Sequence, residues 1–324
     1  MQNILITGSA GYIGSVCTYR LLKEGYNIFA FDNLSTGHIE TIEKLKKYGN
    51  LVFIEGDLKN YSDISQACKN KIDAIIHFAA YSQVNESEKN PIKYYENNIS
   101  GAINLVKAML ENNIKHIVFS STAAVYGNPE SIPISENSTL KPINVYGKTK
   151  LAIEEILNDS DRVYSIKSAK LRYFNACGAS DDMIFGEKHN PETHLIPNIL
   201  KQENLKVFGN DYNTKDGTCI RDYIDVEDLT DAHILALNYI KENNKSITLN
   251  LGTKEGCSVS EIIKYCEETI KQPVKYEIAP KREGDPAILV ADNLKAKETI
   301  GWIPKRSIKS SINKAYEFKK RCSN

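Results

Sequence analysis

At 324 residues the chain is long enough for one large core or two linked domains. Forty-one Lys and Arg balance forty-one Asp and Glu, so the formal net charge of zero leaves no electrostatic footprint for nucleic acid or anionic lipid. The seven cysteines are scattered without a C-x-x-C pair, no apolar run reaches membrane-spanning length, and a core-type strand begins just after Met1, so a soluble cytoplasmic protein with reduced thiols, no metal framework and no membrane contact is expected.

The first apolar run, Asn3 to Thr7, empties into Gly8-Ser9-Ala10-Gly11-Tyr12-Ile13-Gly14, and a helical pattern carried by Val16, Leu21 and Leu22 follows directly. Strand, glycine-spaced turn and helix together let backbone amides approach a pyrophosphate at a helix N-terminus. The spacing is G-x-x-G-x-x-G, one residue wider than the commoner dinucleotide fingerprint, and an ordinary Gly-rich turn has the same outline. The second run ends in Asp32, a carboxylate suited to a ribose diol and repulsive to a 2′-phosphate, which favours NAD over NADP. A charged helix over residues 39–47 and a third run, 51–54, lead to Gly56-Asp57-Leu58, which places Asp57 at the same sheet edge to accept from an adenine amino group.

A helix through Ile64 and Ala67 precedes residues 73–80, whose near-continuous apolar character argues for a parallel strand buried on both faces, with His77 a hydrogen-bonded core residue. Residues 91–112 read as one long helix with a broad apolar surface, able to cover the sheet and also a partner. Asn97 and Asn98 near its start either orient groups in a site or cap a helix turn. The run Ile117-Val118-Phe119 then delivers Ser120, Ser121 and Thr122 to the shared edge. Tyr146 and Lys150 share one face of the next helix, so the ammonium is expected to lower the phenol's pKa and make Tyr146 a usable acid or base. After Asn175 comes a polar, loop-like stretch, 179–193, in which Glu187, Glu192, His189 and the adjoining His194 crowd together at a spacing that matches no zinc template. Helices over 226–239, 259–270 and 308–318 and runs over 247–251 and 274–278 continue an α/β pattern.

Taken together, these motifs resemble the extended short-chain dehydrogenase/reductases and, among them, the UDP-glucose 4-epimerase family. The specific segments are Phe208-Gly209-Asn210-Asp211-Tyr212, Gly217-Thr218 with Arg221-Asp222-Tyr223, and Arg282-Glu283-Gly284-Asp285; residues 7–14, 32–34, 56–58, 77–80, 119–127, 146–150 and 171–175 match the wider superfamily. The resemblance implies a Rossmann-type doubly wound parallel sheet with a smaller C-terminal α/β substrate-binding domain. It places an NAD-binding domain over residues 1–175 and a nucleotide-sugar-binding domain over 176–324, with some segments exchanged, in a homodimer that pairs helices 91–112 and 146–159 of two chains.

By the same resemblance, NAD is held by Gly8, Gly11, Tyr12, Ile13 and Gly14, by Asp32, Asn33, Leu34, Ser35, Thr36 and Gly37, by Asp57, Leu58, Phe78, Ala79, Ala80 and Ser82, and by Asn97, Thr122, Tyr146, Lys150 and Phe174. Tyr146 takes the proton from the sugar 4-hydroxyl while C4 gives a hydride to tightly held NAD, and the 4-keto sugar turns over and is reduced on its other face. Thr122 bridges the 4-oxygen and Tyr146, and Lys150 bonds the nicotinamide ribose. Asn175, His194 and Leu195 contact the UDP-hexose, Val207 and Phe208 flank the uracil, Arg221 and Arg282 hold the diphosphate, and Asp285 takes a ribose hydroxyl or orients Arg282.

Three positions depart from the family pattern. Ser82 replaces a Lys that some members place beside the pyrophosphate, Asn85 replaces a frequent Gly, and Leu289 stands at the gatekeeper position, where Tyr confines the pocket to plain hexoses. Leu is smaller, so activity on UDP-N-acetylglucosamine and UDP-N-acetylgalactosamine is expected beside that on UDP-glucose. A 4,6-dehydratase reading lacks its acid pair, because Ala123-Ala124 stands where that family carries Asp-Glu. UDP-glucuronate and UDP-arabinose 4-epimerases stay open as alternatives, while a non-catalytic NAD-binding regulator is disfavoured by the presence of Thr122, Tyr146 and Lys150 together.

Overall fold

The computed structural model describes residues 2–202, 205–282 and 286–323. Its strands in chain order are β1 (Asn3–Thr7), β2 (Asn27–Asp32), β3 (Leu51–Glu55), β4 (Ala74–His77), β5 (His116–Thr122), β6 (Lys167–Tyr173), β7 (Asn175–Cys177), β8 (Leu205–Phe208), β9 (Ile220–Asp225), β10 (Ile247–Leu251), β11 (Gly256–Ser258), β12 (Tyr276–Ala279) and β13 (Ile288–Leu289). Seven of them form a parallel sheet in the order β10-β6-β5-β4-β1-β2-β3, a Rossmann-type doubly wound arrangement. The order reverses between β1 and β4, and at such a switch point a crevice opens beyond the strand carboxyl ends.

The period-2 alternation of each strand divides the core into two layers. Ile4, Ile6, Ala30, Ile76 and Val118 face helices Tyr12–Lys23 and Val226–Asn243, while Leu5, Phe31, Ile75, Ile117 and Phe119 face helices Tyr61–Cys68, Gly101–Glu111 and Val145–Tyr164. Both faces of the sheet are therefore covered, which is why its strands read as continuous apolar runs.

Smaller sheets carry the rest of the chain: β9 pairs with β7, β11 and β13, and β8 pairs with β12. Their core gathers Ile199, Ile262, Cys266 and Ile312. The chain does not divide cleanly at 175, because β10 returns to the large sheet beside β6 and Val226–Asn243 packs under it. Among the described residues, no helix is long and apolar enough to cross a membrane.

Two elements differ from the sequence reading. The helix over 91–112 is broken into Pro91–Tyr94, a π-helical turn Tyr95–Ser100, and Gly101–Glu111. The cause is Asn98: its amide is buried, accepts from the Tyr81 backbone N–H at 2.9 Å, and donates to the Tyr81 carbonyl at 3.0 Å and to Thr149 at 3.1 Å, an inward reach that an extra residue in the turn accommodates. The run expected at 274–278 lies at Tyr276–Ala279, where its register is set by β8.

Candidate active site

The glycine turn is built by close approach. Gly8 has φ +74°, and a Cβ there would lie 2.7 Å from the Ala79 nitrogen; a Cβ on Gly14 would lie 2.0 Å from the Gly8 carbonyl oxygen. Helix Tyr12–Lys23 starts at Gly11, with no side chain capping its first amides, so its positive end faces the crevice. Asp32 ends β2 with one carboxylate oxygen accepting from Ala10 N–H and the other from Leu34 N–H, each at 2.9 Å. Burial raises its pKa and those two amides oppose the rise. Gly37 lies against Ala10 and Asp32, folding residues 33–37 over the turn. Asp57 accepts from Asn33 Nδ2 at 3.2 Å and from Lys59 N–H at 2.8 Å, and Phe78 and Ala79 donate backbone amides to the Thr7 carbonyl. An open helix N-terminus, a buried carboxylate and a backbone with no space for side chains fit a dinucleotide.

Two of the expected residues have their side chains engaged elsewhere. Leu58 is 7% exposed and packs into the core, and the Tyr12 phenol turns away to donate to the Gly178 carbonyl at 2.7 Å; either residue can offer a ligand only its backbone. Ser82 and Asn85 are both exposed, and nothing in the structure explains the change at Asn85. Asn97 is half-buried and donates to Asn98 Oδ1 at 3.0 Å.

At the end of β5, Thr122 accepts from Ala124 N–H at 3.2 Å and so starts the tight turn Ala123–Tyr126. Helix Val145–Tyr164 is fixed at its start by three side chains: Asn144 accepts from Gly147 N–H at 2.8 Å, Glu88 from Val145 N–H at 2.7 Å and Ser87 from Tyr146 N–H at 3.1 Å. Tyr146, Lys150 and Glu154 follow at i, i+4 and i+8 along the face turned to the sheet.

The expected electrostatics of this pair are corrected. Burial pushes the Tyr146 phenol up to about 12, against a hydrogen bond from Thr122 that favours the phenolate. Burial likewise pushes Lys150 down to about 7, opposed by the charge of Glu154. The ammonium donates to the Ser120 carbonyl at 2.7 Å and lies 5.9 Å from the Tyr146 ring centre, so desolvation, which favours the neutral form of each group, outweighs their mutual effect in the protein alone. His77 shares a 2.7 Å hydrogen bond with Thr7 and stacks on Phe119; burial and the nearby Lys150 hold its pKa at about 3, so it stays a neutral core group.

Beneath Lys150 lies a network that the sequence reading did not single out. Glu154 and Arg172 form a buried two-point ion pair, Ser121 donates to Glu154, and Arg172 also donates to the Tyr126 hydroxyl at 2.9 Å. Tyr126 in turn donates to Asn250 at 2.6 Å, tying β5, β6 and β10 together under the site. The available signals were a glutamate four residues beyond Lys150 and an arginine inside an apolar strand.

Most of the residues expected at the substrate end stand on or beside the smaller sheets. Asn175, exposed on β7, donates weakly to the Asp222 carbonyl at 3.4 Å, and Arg221 on β9 stands opposite Leu289 on β13. Buried Asp222 accepts from the amides of Thr253 at 2.8 Å and Ala291 at 3.1 Å, which pins the Leu289 segment. Leu289 and Phe174 are both partly buried against the cluster of Ala123, Val125, Tyr126 and Ile134, which includes the turn that follows Thr122. The Arg282 guanidinium lies 3.9 Å from the centre of the Phe208 ring. Alternation along β8 turns Leu205 and Val207 inward, and at 2% exposure the Val207 side chain belongs to the core, so it has its backbone to offer a ligand while Phe208 is on the open side. His194 and half-buried Leu195 stand at the start of helix Leu195–Lys201. Asp285 lies outside the described residues.

A family profile described as GDP-mannose 4,6 dehydratase matches residues 5–315. A UDP-glucose 4-epimerase from Lactobacillus helveticus is 47% identical over 94% of this chain and 92% of that protein. The solved UDP-glucose 4-epimerase from Bifidobacterium longum, in complex with NAD+ and UDP, superposes with a TM-score of 0.95 at 34% identity, covering 100% of this chain and 99% of that one. The UDP-Glc/GlcNAc 4-epimerase of Campylobacter jejuni gives a TM-score of 0.87 at 41% identity, covering 99% of this chain and 100% of that one.

Proposed function

The chain belongs to the UDP-glucose 4-epimerase family, and from that premise we propose that it interconverts UDP-glucose and UDP-galactose with NAD held throughout the cycle. The observation that carries this reading is the convergence of Thr122, Tyr146 and Lys150 at the strand edge beside an open dinucleotide turn. When bound, NAD supplies a reversible hydride acceptor for C4 of the sugar. Asp32 takes the adenosine ribose, the amides of Gly11 to Ile13 face the pyrophosphate, and Asp57 faces the adenine.

Tyr146 exchanges the proton of the sugar 4-hydroxyl. Its high pKa in the protein alone means that the phenolate must be favoured by Thr122 and by positive charge in the loaded site, which links proton removal to the occupied state. Lys150 acts as the ammonium, fixed by Ser120 and sustained by Glu154. Arg221 and Arg282 hold the diphosphate and Phe208 takes the uracil face, while Asn175, His194 and Leu195 complete the pocket. Leu289 leaves room for a 2-acetamido group, so UDP-N-acetylhexosamines are turned over as well; the Campylobacter relative is itself a UDP-Glc/GlcNAc epimerase. We further propose a cytoplasmic homodimer, because Ile92, Tyr95 and Ile103 stand exposed along one helical region at 65%, 36% and 38%. Light scattering after gel filtration tests this: a dimer mass is expected, and a monomer contradicts it.

The catalytic assignment is tested with Tyr146→Phe. Turnover of UDP-galactose is expected to fall by about 10²–10⁴-fold with the bound NAD retained. A variant that keeps full turnover overturns the role of Tyr146.

A further inference from the structure

The loop 179–193 and the adjoining His194 bring together four side chains, of which the substrate pocket proposed above uses only His194. One ligand atom from each of Glu187, His189, Glu192 and His194 lies within 4.8 Å of the other three. Both carboxylates are buried, with side-chain exposures of 7% for Glu187 and 3% for Glu192. Two buried carboxylates that converge need positive charge between them. Here the imidazoles approach through Nδ1: His189 at 2.9 Å from Glu187, His194 in short contact with the same oxygen, and His194 at 3.8 Å from Glu192.

We propose that Glu187, His189, Glu192 and His194 form a site for one divalent transition-metal cation, with zinc the best match to two imidazoles and two carboxylates. Tetrahedral zinc with bonds of about 2.0–2.2 Å sets its ligand atoms roughly 3.3–3.6 Å apart, so the two imidazoles must draw back from Glu187 and the widest pairs, within 4.8 Å, must close by about 1 Å. The donors are already oriented from behind. Glu192 accepts from the amides of Thr193 at 2.8 Å and His194 at 2.9 Å, and the His189 ring stands edge-on to Tyr12. A cavity of about 300 Å³, lined by Glu187, His189, Glu192 and Cys322 among others, gives the ion a path to the cluster and space for water.

The site's role follows from where the loop lies. His38 bonds the Lys188 carbonyl at 2.8 Å and Tyr12 donates to the Gly178 carbonyl, so the loop is fastened across the mouth of the dinucleotide turn. A bound cation would lock this fastening. The sequence concealed the site because E-x-H-x-x-E-x-H follows no zinc spacing, and the loop path rather than a helix face makes the ligands converge.

The test uses the full chain, treated with chelator and dialysed, then titrated with Co²⁺ followed by visible absorption and with Zn²⁺ followed by calorimetry. One Co²⁺ per chain with the strong ligand-field bands of four-coordinate cobalt, displaced by Zn²⁺, is the expected result. Glu187→Gln and His189→Gln should each weaken Zn²⁺ binding by at least about 100-fold, more than loss of an orienting group costs. Cys322→Ser should leave binding unchanged. His189→Gln keeps the test valid if the buried Glu187 variant fails to fold, since the His189 side chain is 28% exposed. Absence of stoichiometric uptake, or uptake that persists in His189→Gln, overturns the proposal and leaves the four side chains as an ion-paired cluster.

Discussion

Replacing Arg172 by Met removes the cation from a pair in which Arg172 and Glu154 are only 5% and 2% exposed, and leaves the Glu154 carboxylate buried beneath Lys150 with Ser121 as its remaining hydrogen-bond donor. Breaking a buried pair in this way costs about 3–5 kcal/mol. With an unfolding entropy of roughly 2.1 cal/mol/K per residue over 324 residues, that lowers Tm by about 4–7 °C. The double variant Glu154→Leu/Arg172→Met removes both charges. Its cost falls on Ser121, which loses its acceptor, on Tyr126, which keeps Asn250, and on Lys150, which loses the opposing charge of Glu154; recovery to within about 2 kcal/mol of the parent is expected. Differential scanning calorimetry on the parent, the two single variants Arg172→Met and Glu154→Leu, and the double variant closes the cycle. An Arg172→Met protein within 1 kcal/mol of the parent, or a double variant less stable than either single one, would refute the reasoning.

Glu154→Gln removes the charge that opposes the burial-driven fall of the Lys150 pKa, so that pKa drops below its value of about 7 and the basic limb of the kcat profile moves to lower pH. A loss greater than about 10-fold at pH 8, with a smaller one at pH 6, is expected in steady-state assays below the variant's Tm; a parallel loss at both refutes the link. Gly14→Ala drives a methyl group to within 2.0 Å of the Gly8 carbonyl oxygen, forcing the helix away from its turn. Assay of the NAD released on denaturing the purified protein should show at least a tenfold drop, and full retention counts against the placement. Leu289→Tyr should lower kcat/KM for UDP-N-acetylglucosamine by at least about 10-fold relative to UDP-glucose, the loss expected when a fitted pocket acquires a clash; equal activities would show that Leu289 does not face the sugar.

The crevice was legible because both of its walls are local in the chain. Strand, turn and helix over residues 3–23 are contiguous, Asp32 ends β2 and Asp57 follows just after β3, so their position at the sheet edge follows from parallel topology alone. Tyr146 and Lys150 were legible as a pair through helical spacing, but their electrostatics were not, since the sign of each shift depends on how far the helix is buried. The same limit applies at Val207 and Leu58, where a motif locates the residue and the side of the strand or turn that it faces decides what it touches. The π-helical turn escaped notice because its cause, Asn98, bonds Tyr81 and Thr149, which are 17 and 51 residues away. Arg172 and Glu154 likewise meet only when β6 packs against helix Val145–Tyr164.

The most direct test of the account is to incubate the purified protein with UDP-galactose, adding no cofactor, and to follow the anomeric protons by NMR. Growth of the UDP-glucose signal to a steady ratio is the predicted result, and it establishes 4-epimerisation and retained NAD together. An unchanged UDP-galactose spectrum, persisting after NAD is supplied, would contradict the account.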